Sequence, residues 1–482
     1  MNWIESHIET LVALTGISEN TARKLFLRPV RVEIDERVRQ NRTYQLAYTT
    51  TINLLSRIFP AINFDILSST APAITPWGKF EAPQHSFDQD LIISIGGAAE
   101  SGKLSLILED WKVMIGASKP ARGSEPWNPI LAIIGAAYVV SAATNLLLDG
   151  AIVGAKHWPE FSILDFQRGS AHYDFDKPIS IGEIHIAGIG AVGTAFLYCL
   201  LAHGRCQGKL QLIDSDIIDY KNLGRYPLFD ITDVETRKVF AAQKRLSGHK
   251  KLQVIYNVET FQDYLKKNRR VNSKFKVESL ISAPDKRITR RIFQHELPRR
   301  VWDASTGPDQ IVIHTNDYNP SLACLECIYP EHPSEWAHLE HVAETLGIDI
   351  HILKKAEPIK IPEAQLIIAR YPHLRLPDLI GRDYDSVFRQ LCAASELKAG
   401  DEVVQAPMSF VSMLAGAFLY LEFIKSMVPG SFSHFPPVNY YQLNPLFAPN
   451  PYLRELRKAR KECTCQNPLF RNAYNVVWNI RK

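Results

Sequence analysis

The amino-acid sequence predicts an α/β fold centred on a doubly wound parallel sheet, and three observations predict it. Residues 183–204, EIHIAGIGAVGTAFLYCLLAHG, read as a short apolar strand, a glycine turn and an apolar helix. LQLIDSD at 210–216 follows as a second strand that ends in acid. LQVIYNV at 252–258, KVESLISAPD at 276–285 and RVWDAST at 300–306 then continue the alternation of strand and helix.

Around that centre the chain of 482 residues divides into four spans. Residues 1–175 begin with helical periodicity in ETLVALTG and QLAYTTTINLLSRIF, then reach strand-like LIISIGG and KLSLILED and an apolar helix at 130–148. The polar and aromatic stretch 155–178 reads as a linker. Residues 176–330 hold the glycine turn and its strands. Clustered prolines and histidines set 331–404 apart as an insertion, and 405–482 resume with the apolar helix MSFVSMLAGAFLYLEFIKSM.

Composition excludes several classes of function. A net charge of +4 gives no case for nucleic acid or an anionic membrane as the main partner. The N-terminus lacks a basic start followed by an apolar core, so no secretory signal is expected. Ser141, Thr144 and Asn145 interrupt the run at 130–148, which predicts a buried core helix rather than a membrane span. Seven cysteines without such a signal point to a reducing cytoplasm, where paired cysteines suggest metal or catalysis. GGAAESGKL at 96–104 imitates a phosphate loop, but Leu104 stands where a metal-binding Ser or Thr is required.

Gly188, Gly190 and Gly193 lie where a strand hands over to a helix, the place where bare amides and a helix N-terminus approach phosphate. Asp214 follows Gly193 by about twenty residues, at the end of the next strand, where a carboxylate holds ribose hydroxyls. To this point an NAD-dependent oxidoreductase fits equally well. Beyond Asp214 and Asp216 come Asn222, Arg225 and Lys238, and two extra cations with an amide suit a triphosphate attacked at its α-phosphorus. Asp285 ends another strand and is a candidate for magnesium. Each charged residue taken singly also fits a solvated surface.

IHIAGIGAVG, LIDSDIIDYKNLGRYPLF, Lys238 and SAPD together resemble the adenylating domain shared by the ThiF, MoeB and ubiquitin-activating enzymes. The resemblance spans about 181–330 and 405–427. It implies a Rossmann-like adenylation domain in which Asp214 binds ribose, Asn222, Arg225 and Lys238 handle ATP, and Asp285 binds magnesium. Gly224, Tyr226, Pro284 and Lys286 depart from the residues usual in the family.

Cys324 and Cys327, with Cys463 and Cys465, form two close pairs able to make a tetrahedral zinc site, and ACLEC stands where many members of the family carry the first pair. His332, His338 and His341 complete no ligand set and are expected in surface or packing roles. Cys199 and Cys206 are expected to pack. By its place in the resembling family, Cys392 is the thiol that takes the acyl group from the adenylate.

Residues 1–175 resemble a degenerate adenylation-like half that lacks a glycine turn, as in bacterial ubiquitin-activating-type proteins of antiviral conjugation operons. The chain is then expected to act as a pseudodimer or a homodimer, with Arg37, Arg39 and Arg42 as candidates to reach the ATP of the active half. The function so implied is activation of a ubiquitin-like protein, thioester formation on Cys392 and transfer to a conjugating enzyme. A sulfur-carrier activator, a NAD-dependent oxidoreductase and an inactive scaffold are the alternatives.

Overall fold

A computed structural model of the chain describes residues 17–64, 74–76, 91–100, 103–147, 158–307, 310–355, 357–385, 387–388, 391 and 408–480, with Glu5, Ile8 and Val12. The first half runs α1 (Glu19–Phe26), β1 (Val30–Ile34), α2 (Arg42–Leu55), β2 (Ile62–Phe64), β3 (Leu91–Ile95), β4 (Lys103–Glu109), β5 (Lys112–Ile115), α3 (Pro129–Leu147) and β6 (Phe161–Ser162). The second begins β7 (Ile179–Ala187), α4 (Ala191–His203), β8 (Cys206–Ile213), α5 (Lys238–Leu246), β9 (Leu252–Asn257), α6 (Phe261–Val271) and β10 (Ser279–Ser282). It continues α7 (Arg287–His295), β11 (Arg300–Thr306), β12 (Ile311–Asp317) and α8 (Leu325–Ile328). After α9 (Pro333–Leu346), α10 (Ile350–Leu353), α11 (Ile361–Arg370) and α12 (Leu376–Leu379) it closes with α13 (Ser409–Met427), β13 (Tyr440–Leu443), β14 (Arg454–Glu455) and α14 (Pro468–Trp478).

The strands form two sheets, ordered β2-β1-β3-β4-β5-β6 and β14-β13-β12-β11-β10-β7-β8-β9. Their pairing follows one plan. β1 lies between parallel neighbours β2 and β3 as β7 lies between β8 and β10, and each sheet then passes through a further parallel strand into antiparallel ones. In each half a helix leaves the central strand, α2 or α4, and a long apolar helix returns beside it, α3 or α13. These four helices pack side by side between the sheets, with α3 against α13 at the centre.

Local sequence explains the helices of that layer. Asn41 caps α2 by accepting from the amides of Thr43 and Tyr44 at 3.0 and 3.3 Å. Asn128 accepts from Leu131 N at 3.0 Å at the start of α3, where proline costs no hydrogen bond. The side chains along α3 are almost all buried, and each large apolar one removed from water contributes about 1.5–3 kcal/mol. Two of the polar residues in that run bond within the protein: Ser141 donates to Pro445 O at 2.6 Å and Thr144 to Val140 O at 2.7 Å. A helix of spanning length is therefore spent on the core.

Two features differ from the sequence expectation. β12, β13 and β14 extend the second sheet antiparallel, so the sheet is mixed. The stretch read as a linker closes the first sheet instead, since β6 pairs with β5 and Ile163, Leu164, Phe166 and Phe175 are buried. Tyr138 of α3 takes the rings of Trp158 and Phe161 at 5.4 and 5.1 Å, so the aromatic residues there are packing groups separated by polar ones. Lys103 opens a strand rather than a helix and pairs with Glu33 at 3.1 Å.

The insertion has a small core of its own around Leu346, Ile367, Leu379 and Val387. Ion pairs tie it to the second sheet's helices and loops: Arg291 to Glu335 and Lys286 to Asp383, both at 2.7 Å, and Lys266 to Glu357 at 3.1 Å.

Candidate nucleotide site and cysteine cluster

The three central strands of the second sheet lie in the order β10-β7-β8, so their carboxyl ends line up. Gly188 leaves β7 with φ +96°, donates its amide to Ile213 O at 3.0 Å and lies against Ala283, whose carbonyl oxygen a Cβ at Gly188 would approach to 2.5 Å. A Cβ at Gly193 would meet Gly188 O at 2.1 Å, so this glycine lets the helix close onto the turn. Gly190 caps α4 with no side chain over the first amides. The first N–H groups of α4, with no side-chain cap, and the helix dipole together favour an anion at this end.

Asp214 and Asp285 flank the turn, one at the end of β8 and one just past β10. Asp214 is fixed by two backbone donors, Ile189 N at 2.7 Å and Asp216 N at 2.8 Å. Burial pushes its carboxyl above the usual range against the pull of Lys238. Asp285 is exposed.

Lys238 opens α5 and turns back to Asp216, with Nζ 2.8 Å from Oδ2. Burial works upward on Asp216, but the ammonium beside it holds that carboxyl below its usual range. Burial works downward on Lys238, and Asp216, Tyr226 and Asp214 hold it well above the usual value. Asn222 belongs to a short 3₁₀ turn at Tyr220–Gly224, where its Oδ1 accepts from Asp219 N at 2.9 Å. Arg225 follows, and its Nε is buried without a hydrogen-bond partner. Tyr226 relates the two cations, since its ring centre lies 5.9 Å from the Arg225 guanidinium carbon and 5.6 Å from Lys238 Nζ. Its hydroxyl reaches the turn, 3.7 Å from where a Cβ on Gly190 would stand.

The structure thus gathers Gly188, Gly190, Gly193, Asp214, Asp216, Arg225, Lys238 and Asp285 around one strand-end crevice. Arg42 is elsewhere engaged, paired with Asp176 at 2.9 Å and lying over the Trp127 ring at 4.2 Å. Arg37 pairs with Asp35 and Arg39 with Glu36. Cys392 lies outside the described residues.

Several supporting residues are absent from the sequence reading. Asp303 is wholly buried and accepts from Ser282, Arg290 and Tyr329, each at 2.6 Å. Arg290 also holds Pro284 O, so this cluster sets the loop that carries Asp285. Lys286 spans from that loop to Asp383 of the insertion. An SAPD motif followed by arginine in a predicted helix offers a faint signal for Arg290; Asp303 and Tyr329 offer none.

The four paired cysteines converge. All are buried, with Sγ atoms within 4.8 Å of one another. Cys324 is 3.8 Å from Cys327 and 3.6 Å from Cys463, and Cys327 is 3.6 Å from Cys465. Tetrahedral zinc with Zn–S bonds of about 2.3 Å requires sulfur pairs roughly 3.8 Å apart, so the donor set fits the metal. Arg460 N and Gln466 Nε2 donate to Cys327 and Cys465 sulfur, both at 3.3 Å, which favours thiolate ligands. Cys199 and Cys206 are packing residues in the core, and burial pushes both thiols up. His338 pairs with Asp385 at 2.7 Å, and the His341 ring packs on Phe388 at 5.2 Å.

A family model described as the ThiF family matches residues 168–467. A protein of Sinorhizobium fredii (strain NBRC 101917 / NGR234), described as uncharacterized protein y4jF, is 24% identical over 492 residues, 92% of this chain and 90% of its own. A probable molybdopterin-synthase adenylyltransferase of Porphyra purpurea is 24% identical over 188 residues, 34% of this chain and 49% of its own. Among solved structures, E. coli MccB with MccA-N7isoASN is 15% identical with a TM-score of 0.36, covering 59% of this chain and 66% of that one. E. coli MccB with ATP is 15% identical with a TM-score of 0.35, covering 59% and 67%.

Proposed function

The chain belongs to the ThiF family, and from that premise we propose that it activates a ubiquitin-like protein by adenylating its C-terminal carboxylate. One observation carries this reading. The bare N-terminus of α4 lies between Asp214 and Asp285, beside the cations Arg225 and Lys238, and Arg225 Nε is buried without a partner. An anion with more charge than a dinucleotide's two phosphates suits that arrangement.

In the proposed reaction Asp214 orients the ribose and the α4 amides hold phosphate oxygens. A carboxylate oxygen of the small protein attacks the α-phosphorus, and the bond to the β-phosphate oxygen breaks. Pyrophosphate leaves with its charge neutralised by Arg225 and Lys238. Lys238 starts from its pair with Asp216, which keeps it protonated and aimed at the turn. Asn222 braces the turn that presents Arg225. Asp285 would hold magnesium, whose chemistry there is to neutralise phosphate oxygens.

The acyl-adenylate is then attacked at its carbonyl carbon by the Cys392 thiolate, AMP leaves with the former carboxylate oxygen, and a thioester remains for a conjugating enzyme. The folded insertion before Cys392, tied to the nucleotide loops by Lys286–Asp383, supports conjugation over simple sulfur transfer. The Porphyra purpurea relative favours the second reading, activation of a sulfur carrier, which shares the adenylation and departs from it at Cys392. Residues 1–175 act as a degenerate adenylation-like half, which their shared strand plan supports, so that one chain forms a pseudodimer. The four-cysteine cluster holds structural zinc and fastens the C-terminal segment to the core.

The test is exchange of labelled pyrophosphate into ATP, with and without a small protein ending in a free carboxylate. Exchange that requires the protein supports the proposal. No exchange with any such protein excludes both adenylation readings.

A further inference from the structure

Arg57 is wholly buried, yet it belongs to the half of the chain that lacks the glycine turn. It lies just beyond the C-terminal end of α2, where a cation is favoured by the helix dipole. Its Nε donates to Asn53 Oδ1 at 2.7 Å. Nη1 donates to Leu223 O, and Nη2 to Phe229 O at 2.9 Å and Pro227 O at 3.4 Å. Asn53 Nδ2 adds a second bond to Pro227 O at 3.0 Å.

The carbonyls so held bracket Arg225 and Tyr226 on both sides. Burying a guanidinium costs several kcal/mol before its hydrogen bonds return any of it, and an apolar side chain would fill the same space at less cost. What a rigid fork of N–H donors adds is position, because it fixes several carbonyls at once.

We propose that Arg57, with Asn53, is a positioning residue of the nucleotide site, so that the N-terminal half sets where Arg225 meets the triphosphate. This rests on the adenylation reading. It gives the first half a role in each catalytic cycle that needs no contact with ATP.

The test uses the full chain and pyrophosphate exchange, with Arg57→Met, Arg57→Lys, Asn53→Ala and Thr50→Val. Thr50 bonds the Tyr198 hydroxyl at 3.0 Å from the same helix, across the same seam, but reaches α4 rather than the nucleotide loop. Arg57→Met is expected to lower exchange kcat on the order of 100-fold, as a small misplacement of a catalytic group does, with Arg57→Lys restoring part of it. Asn53→Ala is expected to lose roughly tenfold, and it carries the test if the Arg57 variants do not fold. In both, amide hydrogen exchange should quicken at residues 222–229. Thr50→Val should lower Tm alone.

Arg57→Met or Asn53→Ala with unchanged kcat overturns the inference. So does a loss in Thr50→Val that matches theirs at equal Tm, which would make the seam merely structural. A wild-type chain without exchange overturns the adenylation reading and this inference with it. A wild-type chain that exchanges beside an unimpaired Arg57 variant overturns the inference alone.

Discussion

Lys238 Nζ stands 2.8 Å from Asp216 Oδ2, and the two face each other from the start of a helix and the end of a strand. Arg225 is the contrast, since its Nε has no hydrogen-bond partner in the same crevice. One cation is paired within the fold, and the Nε of the other is not.

That contrast predicts different costs. Lys238→Ala leaves a part-exposed carboxylate without its ammonium partner and should lower stability by about 1 kcal/mol, besides lowering exchange. Arg225→Ala should change Tm little while lowering exchange kcat by roughly 100-fold. Thermal unfolding and pyrophosphate exchange measured on the same preparations check both. An Arg225→Ala protein that unfolds like Lys238→Ala would place Arg225 in the fold rather than in the chemistry.

Acid should destabilise the chain through two buried imidazoles. Burial holds His185 and His203 down at about 4, below the ordinary 6.5, so the unfolded chain binds more protons between those values. Stability is therefore full above about 6.5 and falls as pH drops toward 4, by roughly 1.4 kcal/mol per pH unit for each group. Glu125 works the other way: burial lifts its carboxyl to about 7, so it gains a proton on folding below that pH. Glu125→Gln should steepen the acid loss of stability, read as denaturant midpoints from pH 4 to 7. A shallower profile in that variant would contradict the assignment.

The cysteine cluster predicts about one zinc per chain, lost in Cys463→Ser or Cys465→Ser. Its removal should free the C-terminal segment, with faster amide exchange over β14 and α14 while the rest of the second sheet keeps its protection. Metal analysis and peptide-resolved hydrogen exchange give the answer. Four thiols that react freely in the untreated protein would argue against zinc.

Cys392→Ala should leave pyrophosphate exchange intact and remove the adduct with the small protein that a thiol reagent cleaves. Loss of exchange itself in this variant would make Cys392 part of the nucleotide site and undo the division of labour proposed for it.

What the sequence made legible was local. Strand, glycine turn and helix lie within twenty-two consecutive residues, and Asp214 to Lys238 within twenty-five, so period and spacing carried them. The cysteine pairs were legible because each pair is short, although the pairs themselves lie far apart. The stretch 155–178 reads as a linker because β6 is two residues long and its buried neighbours Ile163, Leu164 and Phe166 keep no regular alternation that would declare a strand. Arg57 was hidden for another reason. An arginine near a helix end reads as solvated, and its partners lie 166 to 172 residues away. Lys286 and Asp383 are likewise 97 residues apart. Groups that position the site from a distance leave no local pattern.

The most direct measurement follows the oxygen atoms. Adenylation predicts that a small protein whose C-terminal carboxylate carries heavy oxygen will yield AMP bearing one labelled atom, in a reaction that also releases unlabelled pyrophosphate. Label found in orthophosphate, with ADP as the nucleotide product, would mean attack at the γ-phosphorus and would contradict the assignment of the crevice at Gly188.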